Sequence, residues 1–302
     1  MGRIAEALKK AERERTRYFA GPGLDRFGTP TESIEPDHEI GQDRLGGDVS
    51  SSSVLKFGQH GSLRFSGSTM LGPPPPWDVH PTLVAVHDRS STITEQYRAA
   101  RTWLLRRNAS GQRPCVAITS SVPREGKSVT TANLSVVMAE VRHLAVLAID
   151  CDFRQGSLAK MFKMPNSPGL SDVLAGRATL EEAISVTPLG NLSVLTAGTS
   201  QDLNPTELLN SQTAARVFDE IRERYHYTLV DTPPVQWLSD IGVIGALCSG
   251  IVMVVRMNKT ASHLVRQSVH WLQANNLNVL GCIAADCNRK GVRYEYEGSD
   301  DD

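Results

Sequence analysis

The sequence lacks an apolar run of membrane-spanning length. Its longest, Ile241 to Met257, is broken by Cys248, Ser249 and Gly250 and falls short of the roughly 20 residues a span needs. It reads as a helix end, a glycine turn and a buried strand. Met1 to Arg17 is charged and has no apolar core of the signal-peptide kind. Cysteine is scarce: Cys115, Cys151, Cys248, Cys282 and Cys287 among 302 residues. Four lie in apolar runs, where a thiol serves as a small core residue. Cys282 and Cys287 are not at C-x-x-C spacing, and no histidine cluster accompanies them, which argues against a cysteine metal site or a disulfide framework. Neither charge is in excess, with 32 Lys and Arg against 33 Asp and Glu. Nothing global therefore points to nucleic acid or acidic lipid. The expectation is a cytoplasmic protein in a reducing compartment, with no nucleic-acid partner.

Composition divides the chain into four parts. Residues 1–19 form an amphipathic helix with Ile4, Leu8 and Ala11 on one side; its charged residues leave open a solvated helix or a docking helix. Residues 20–85 are rich in Gly, Ser and Pro, including Ser50 to Ser53 and Pro73 to Pro76, and bury too little apolar surface to offset their ordering entropy; the expectation is a disordered linker. Residues 86–290 alternate apolar strand runs with helical stretches, the pattern of an α/β fold with a mostly parallel sheet covered by helices on both faces. Expected strands include Cys115 to Ser120, Ala145 to Asp150, Leu192 to Thr196, Thr228 to Asp231, Ile251 to Val255 and Val279 to Ala284. Residues 291–302 are an acidic, flexible tail with Tyr294 and Tyr296.

Ser121-Val122-Pro123-Arg124-Glu125-Gly126-Lys127-Ser128 approximates a P-loop, with Ser121 at the usual first glycine. A strand precedes it and a helix of small residues, from Lys127 to about Val141, follows. In such a loop Pro123, Arg124, Glu125, Gly126, Lys127, Ser128 and Val129 wrap a phosphate. Gly126 lets the amides converge on its oxygens at a helix N-terminus. Lys127 supplies a point charge to the β- and γ-phosphates of ATP, and Ser128 a hydroxyl to Mg²⁺. Two apolar strands then end in acid, Asp150-Cys151-Asp152 and Asp231. At the carboxyl edge of an open sheet such residues face the ligand crevice. Taken singly, each also reads as a cap or turn residue. The loop and both acidic ends in one chain argue for a nucleotide site.

These three segments resemble the bacterial tyrosine kinases of the capsule and exopolysaccharide type, P-loop proteins of the MinD/ParA-related branch. The resemblance covers about Glu95 to Asn288 and extends to Pro168-Gly169-Leu170-Ser171-Asp172 and Asn204-Pro205-Thr206-Glu207-Leu208-Leu209. Glu95, Arg98 and Arg101 are similar to the family's oligomerisation motif and follow one side of a helix; an ion-paired, solvated face is the other reading. The resemblance implies an ATP-dependent protein-tyrosine autokinase with catalytic Lys127, Asp150, Asp152 and Asp231, Mg²⁺ held by Ser128, Asp152 and Asp231, and Asp150 taking the proton of an incoming tyrosine. It implies a homo-oligomer whose acceptors, Tyr294 and Tyr296, are offered between subunits. It also implies an activating membrane partner, a polysaccharide co-polymerase of the chain-length-determinant type, which would recruit the protein to the inner face of the membrane.

The sequence departs from the family at Arg124, often glycine there, and at Gln155-Gly156, where Arg-Pro is usual. Its tail is also poor in tyrosine. The residues leave two other functions open. One is a MinD/ParA-like ATPase, although Val122 stands where its signature lysine belongs. The other is a non-catalytic, nucleotide-gated scaffold of the export machinery.

Overall fold

The computed structural model describes residues 77–108, 112–199, 204–236 and 238–286. The expected N-terminal helix, the linker up to residue 76, and the tail with Tyr294 and Tyr296 lie outside the described residues. In chain order the first elements are α1 (Val84–His87), α2 (Thr92–Arg107), β1 (Cys115–Ser120), α3 (Lys127–Ala139) and β2 (Val146–Asp150). Short helices follow at α4 (Ser157–Phe162), α5 (Leu170–Leu174) and α6 (Leu180–Ala183), then β3 (Ile184–Val186) and β4 (Leu192–Leu195). The remainder comprises α7 (Pro205–Leu209), α8 (Gln212–Arg224), β5 (Tyr227–Asp231), α9 (Leu238–Leu247), β6 (Gly250–Arg256), α10 (Ser262–Ala274) and β7 (Val279–Ala285).

The seven strands form one sheet in the order β3-β4-β2-β5-β1-β6-β7. All pairings are parallel except β3 with β4. The central strands read as continuous apolar runs because both faces are covered. Their period of two sorts residues between the faces: Val146 and Ala148 enter one core cluster, Leu147 and Ile149 the other. Helix α3 packs against the first face and is buried on nearly every side. Its polar residues therefore bond inward: Thr131 Oγ1 donates to the Lys127 carbonyl at 2.9 Å and Ser135 Oγ to the Thr131 carbonyl at 2.8 Å. On the other face α8 buries Ala214, Val217, Phe218 and Ile221, with Ser211 as its N-cap.

The linker boundary expected at residue 85 needs correction. Val79, Leu83 and Ala85 are at most 2 % exposed and belong to the α3-side core. Asn133 of α3 fixes this segment: its amide donates to the Thr82 carbonyl at 2.8 Å and its oxygen accepts from the Ala85 amide at 3.0 Å. Trp77 stacks on Phe162 with centroids 5.7 Å apart. The run from Trp77 to Val86 has enough apolar side chains to dock, unlike the proline run before it.

Strand register positions the site. Asp150 and Asp231 are direct partners at the ends of β2 and β5, and Asp231 pairs with Ile118 of β1. Adjacent parallel strands lie about 4.8 Å apart. Both acidic strand ends are thus side by side, next to the strand that feeds the P-loop.

Candidate nucleotide-binding and catalytic site

The loop from Ser121 to Gly126 joins β1 to α3. Gly126 lies at φ 96°, in the left-handed region, directly before α3. An added Cβ would meet only Ala285 at 4.0 Å, so the demand for glycine is conformational rather than steric. Helix α3 has no side-chain cap at its N-terminus, which leaves its first amides for an anion. Arg124, exposed, adopts φ 63°. That geometry accounts for the family's usual glycine there, since a left-handed residue with a Cβ is strained.

The four expected catalytic side chains meet. Lys127 Nζ donates to Asp152 Oδ2 at 2.8 Å and to Ser128 Oγ at 3.3 Å, and stands 3.9 Å from Asp231 Oδ1. The three residues expected to hold Mg²⁺ therefore converge on one cation, the Lys127 ammonium. Burial pushes that ammonium down, but the Asp231 and Asp152 carboxylates outweigh it and hold it above its ordinary value. Three buried carboxylates against one ammonium leave negative charge in excess. Burial raises Asp231 and Asp150 well above the usual carboxylate range, and each is pushed further by neighbouring carboxylates. Asp231 Oδ1, Asp231 Oδ2 and Asp152 Oδ1 are buried and accept no hydrogen bond. Orphaned buried oxygens of this kind are costly to the fold and suit a divalent cation. No group of three or more His, Cys, Asp or Glu side chains is placed for a metal among the described residues. Mg²⁺ fits that count, because it binds through one or two carboxylates together with phosphate and water.

Asp150, the expected base, has a different setting from Asp152 and Asp231. It is fully buried, with Oδ1 accepting the Asp152 amide at 3.0 Å and Oδ2 the Leu158 amide at 2.9 Å. It thereby anchors the turn that carries Asp152, while each oxygen keeps a second lone pair.

Asp240 and Glu140 escaped the sequence reading, as did the structural roles of several residues it did name. Glu125 lies in the loop, yet its carboxylate turns inward and is 2 % exposed. Its Oε2 accepts the Val122 amide at 2.9 Å, and its Oε1 accepts the Arg256 amide at 3.3 Å and the Thr260 hydroxyl. The loop is thus tied to the end of β6. Asp240, also buried, accepts from Arg154 at 3.3 Å and from Thr206 Oγ1 at 2.5 Å, connecting the Asp152 turn to the Asn204-Pro205-Thr206 segment. Asp172 gives the Pro168-Gly169-Leu170-Ser171-Asp172 segment a structural job: it accepts from the Gly169 amide at 2.9 Å and the Thr199 amide at 3.3 Å and pairs with Arg177. Glu140 receives Arg98 and Arg101 at 2.5 and 2.8 Å, and Arg98 also pairs with Glu95. The expected oligomerisation row is therefore engaged within one chain. No sequence signal marks Asp240 or Glu140 as its partners' counterions.

A left-handed glycine before an uncapped helix, a lysine on the following turn and two acidic strand ends beside it define a P-loop nucleotide-binding protein. Comparison with known proteins sharpens that class. The chain matches the AAA domain family over residues 116–274. It is 33% identical over 220 residues to the tyrosine-protein kinase YwqD of Bacillus subtilis, covering 72% of this chain and 92% of that protein. It is 30% identical over 216 residues to the tyrosine-protein kinase wzc of Salmonella typhimurium, covering 72% of this chain but 30% of that longer protein. The kinase domain of the Escherichia coli tyrosine kinase ETK superimposes with TM-score 0.67 at 28% identity, over 76% of this chain and 89% of that one. The chimerical protein CapA2B2 gives TM-score 0.64 at 29% identity, over 68% of this chain and 89% of that one. The chain belongs to the bacterial tyrosine kinases of the capsule and exopolysaccharide type. It is a protein-tyrosine kinase on a P-loop fold, and among the described residues no helix is long and apolar enough to cross a membrane.

Proposed function

We propose that this kinase binds ATP with Mg²⁺ on residues 121–129 and transfers the γ-phosphoryl group to tyrosine hydroxyls, its own Tyr294 and Tyr296 among them. The observation that carries the reading is the convergence of Lys127, Ser128, Asp152 and Asp231 at one point on the carboxyl edge of the sheet. The α3 amides and Lys127 would hold the phosphates, the lysine leaving Asp152 as it turns to them. Ser128, Asp152 and Asp231 would hold Mg²⁺, which when bound neutralises phosphate charge. In the transfer the tyrosine oxygen bonds to the γ-phosphorus, the bond to the β,γ-bridging oxygen breaks, and ADP leaves with that electron pair. The phenolic proton goes to Asp150, through the lone pair its amide contacts leave unused. Burial and the neighbouring carboxylates raise Asp150 to about 8, closer to the phenol's value of about 10, which narrows the cost of moving the proton between them.

The homo-oligomer is part of the same reading. Arg98 and Arg101 are shared between intrachain pairing with Glu140 and, together with Glu95, contact with a second subunit, which would present its tail in trans. Relatives that include the succinoglycan biosynthesis transport protein ExoP of Rhizobium meliloti support a role in regulating exopolysaccharide synthesis and export. A membrane chain-length-determinant protein would activate the kinase and bring it from the cytoplasm to the membrane's inner face. The test is incubation of the full chain with ATP and Mg²⁺, followed by phosphotyrosine detection. Signal in the wild type that is lost in Lys127→Met supports the reading. No signal, even with a partner's cytoplasmic segment added, removes autokinase activity from it.

A further inference from the structure

The turn after Asp152 opens onto a cleft of about 740 Å³ at the carboxyl end of β2 and β4. Its wall includes Phe153, Arg154, Lys160, Lys163, Asn166 and Thr199, and no acidic side chain lines it. The cleft adjoins the chemistry directly, since the Asp152 carbonyl accepts the Gln155 and Gly156 amides at 3.1 and 2.9 Å. Lys160 is exposed and has no ion-pair partner among the described residues. Lys163 pairs with Asp78, whose side chain is 83% exposed, a solvated pair that exchanges readily. Arg154 holds Asp240 and keeps half its side chain in solvent.

A positive, acid-free cleft beside the phosphoryl site selects an anionic peptide. The chain itself carries one: after Arg293 its sequence is Tyr294-Glu295-Tyr296-Glu297-Gly298-Ser299-Asp300-Asp301-Asp302, five carboxylates and no basic residue. We propose that this cleft is the docking subsite for the acidic tail of a second copy of the chain. In it Lys160 and Lys163 read the carboxylates flanking Tyr294 and Tyr296 and set specificity for acidic tyrosine sequences. This rests on the acceptor reading above. It adds which surface selects the acceptor and by what charge.

The experiment uses the full chain with its own tail neutralised (Glu295→Gln, Glu297→Gln, Asp300→Asn, Asp301→Asn, Asp302→Asn), so that it does not compete, and a fluorescent peptide of residues 291–302. Binding is followed by anisotropy, and transfer to the peptide by phosphotyrosine formation. The expected result is at least tenfold weaker binding for Lys160→Glu/Lys163→Glu, and a similar loss for a peptide carrying amides at the five acids. A peptide carrying lysines there should bind the charge-reversed chain again. The KM for ATP should stay within twofold. Equal affinity for acidic and neutral peptides overturns the proposal, as does a matching rise in the KM for ATP, which would give the cleft to the nucleotide. Should the double variant fail to fold, the neutral peptide and Lys160→Gln decide alone. Charge-dependent binding without phosphorylation sinks the acceptor reading and spares the subsite. Phosphorylation indifferent to charge does the reverse.

Discussion

Replacing Asp231 with asparagine should make the ligand-free protein more stable while disabling it. Asp231 is completely buried, neither oxygen accepts a hydrogen bond, and its register partner is the equally buried Asp150. Burial raises its pKa to about 6, the Lys127 ammonium only partly offsetting that rise. Against an unfolded value near 3.9, such a shift corresponds to about 3 kcal/mol of destabilisation once the group is ionised. The sign follows from proton binding. The native state holds a proton that the unfolded state has released, so stability falls as pH climbs from about 4 through the native pKa. The amide of Asp231→Asn removes the surplus charge and supplies a donor for the orphaned Asp152 Oδ1. A gain of about 2–3 kcal/mol near pH 7.5 amounts to roughly 4–12 °C in Tm for a domain of this size. Thermal melts of the full chain in chelator, from pH 4 to pH 8, measure it. The advantage should disappear near pH 4. Adding ATP with Mg²⁺ should stabilise the wild type and leave the variant nearly unmoved, by about 2.7 kcal/mol at a hundredfold excess over Kd. A variant less stable than wild type at neutral pH, or a difference that ignores pH, refutes the reasoning.

Other positions yield sharper yes-or-no outcomes. Gly169→Ala would put a Cβ 2.3 Å from the Gly198 amide nitrogen and 2.6 Å from the Thr196 carbonyl oxygen. Both are backbone atoms, so a loss of about 3 kcal/mol is expected in urea unfolding. Glu125→Ala leaves the part-buried Val122 amide and Thr260 hydroxyl without their acceptor, costing about 1–2 kcal/mol and raising the KM for ATP as the loop loosens. A stability loss with unchanged KM would detach Glu125 from loop geometry. Burial pushes Glu140 up, but Arg98 and Arg101 outweigh it and hold it below the usual range. Its contribution is present above about pH 4.3 and fades as pH falls through the lowered native value. Glu140→Ala should therefore lower stability modestly at pH 7 and match the wild type in strong acid.

What the sequence reveals depends on how local each signal is. The P-loop is local: Gly126, Lys127 and Ser128 sit between a strand and a helix, so their conformation follows from adjacent residues. The acidic ends of β2 and β5 are local as well, because a continuous apolar run announces a strand buried on both faces. Strand β3 gives no such sign, being two half-exposed residues and the exposed Val186, paired only through β4. The segment at 77–85 was concealed by the proline run before it, since its anchor, Asn133, lies about 50 positions away. The inward role of Glu125, and Asp240 altogether, escaped for the same reason. Their distant partners lie 131 to 135 and 34 to 86 positions away, and only the folded sheet brings those into reach. Asp150 and Asp152 share a strand end in the sequence. The fold gives them different partners, Asp150 the backbone amides of the turn and Asp152 the Lys127 ammonium.

Phosphate mapping tests the central claim most directly. The full chain, incubated with ATP and Mg²⁺ and digested, should carry phosphate on Tyr294 and Tyr296 by mass spectrometry. Chains bearing Lys127→Met or Asp152→Asn, treated identically, should carry none. Phosphotyrosine persisting in the Lys127→Met chain, or a wild type in which both tail tyrosines stay unmodified, would contradict the account.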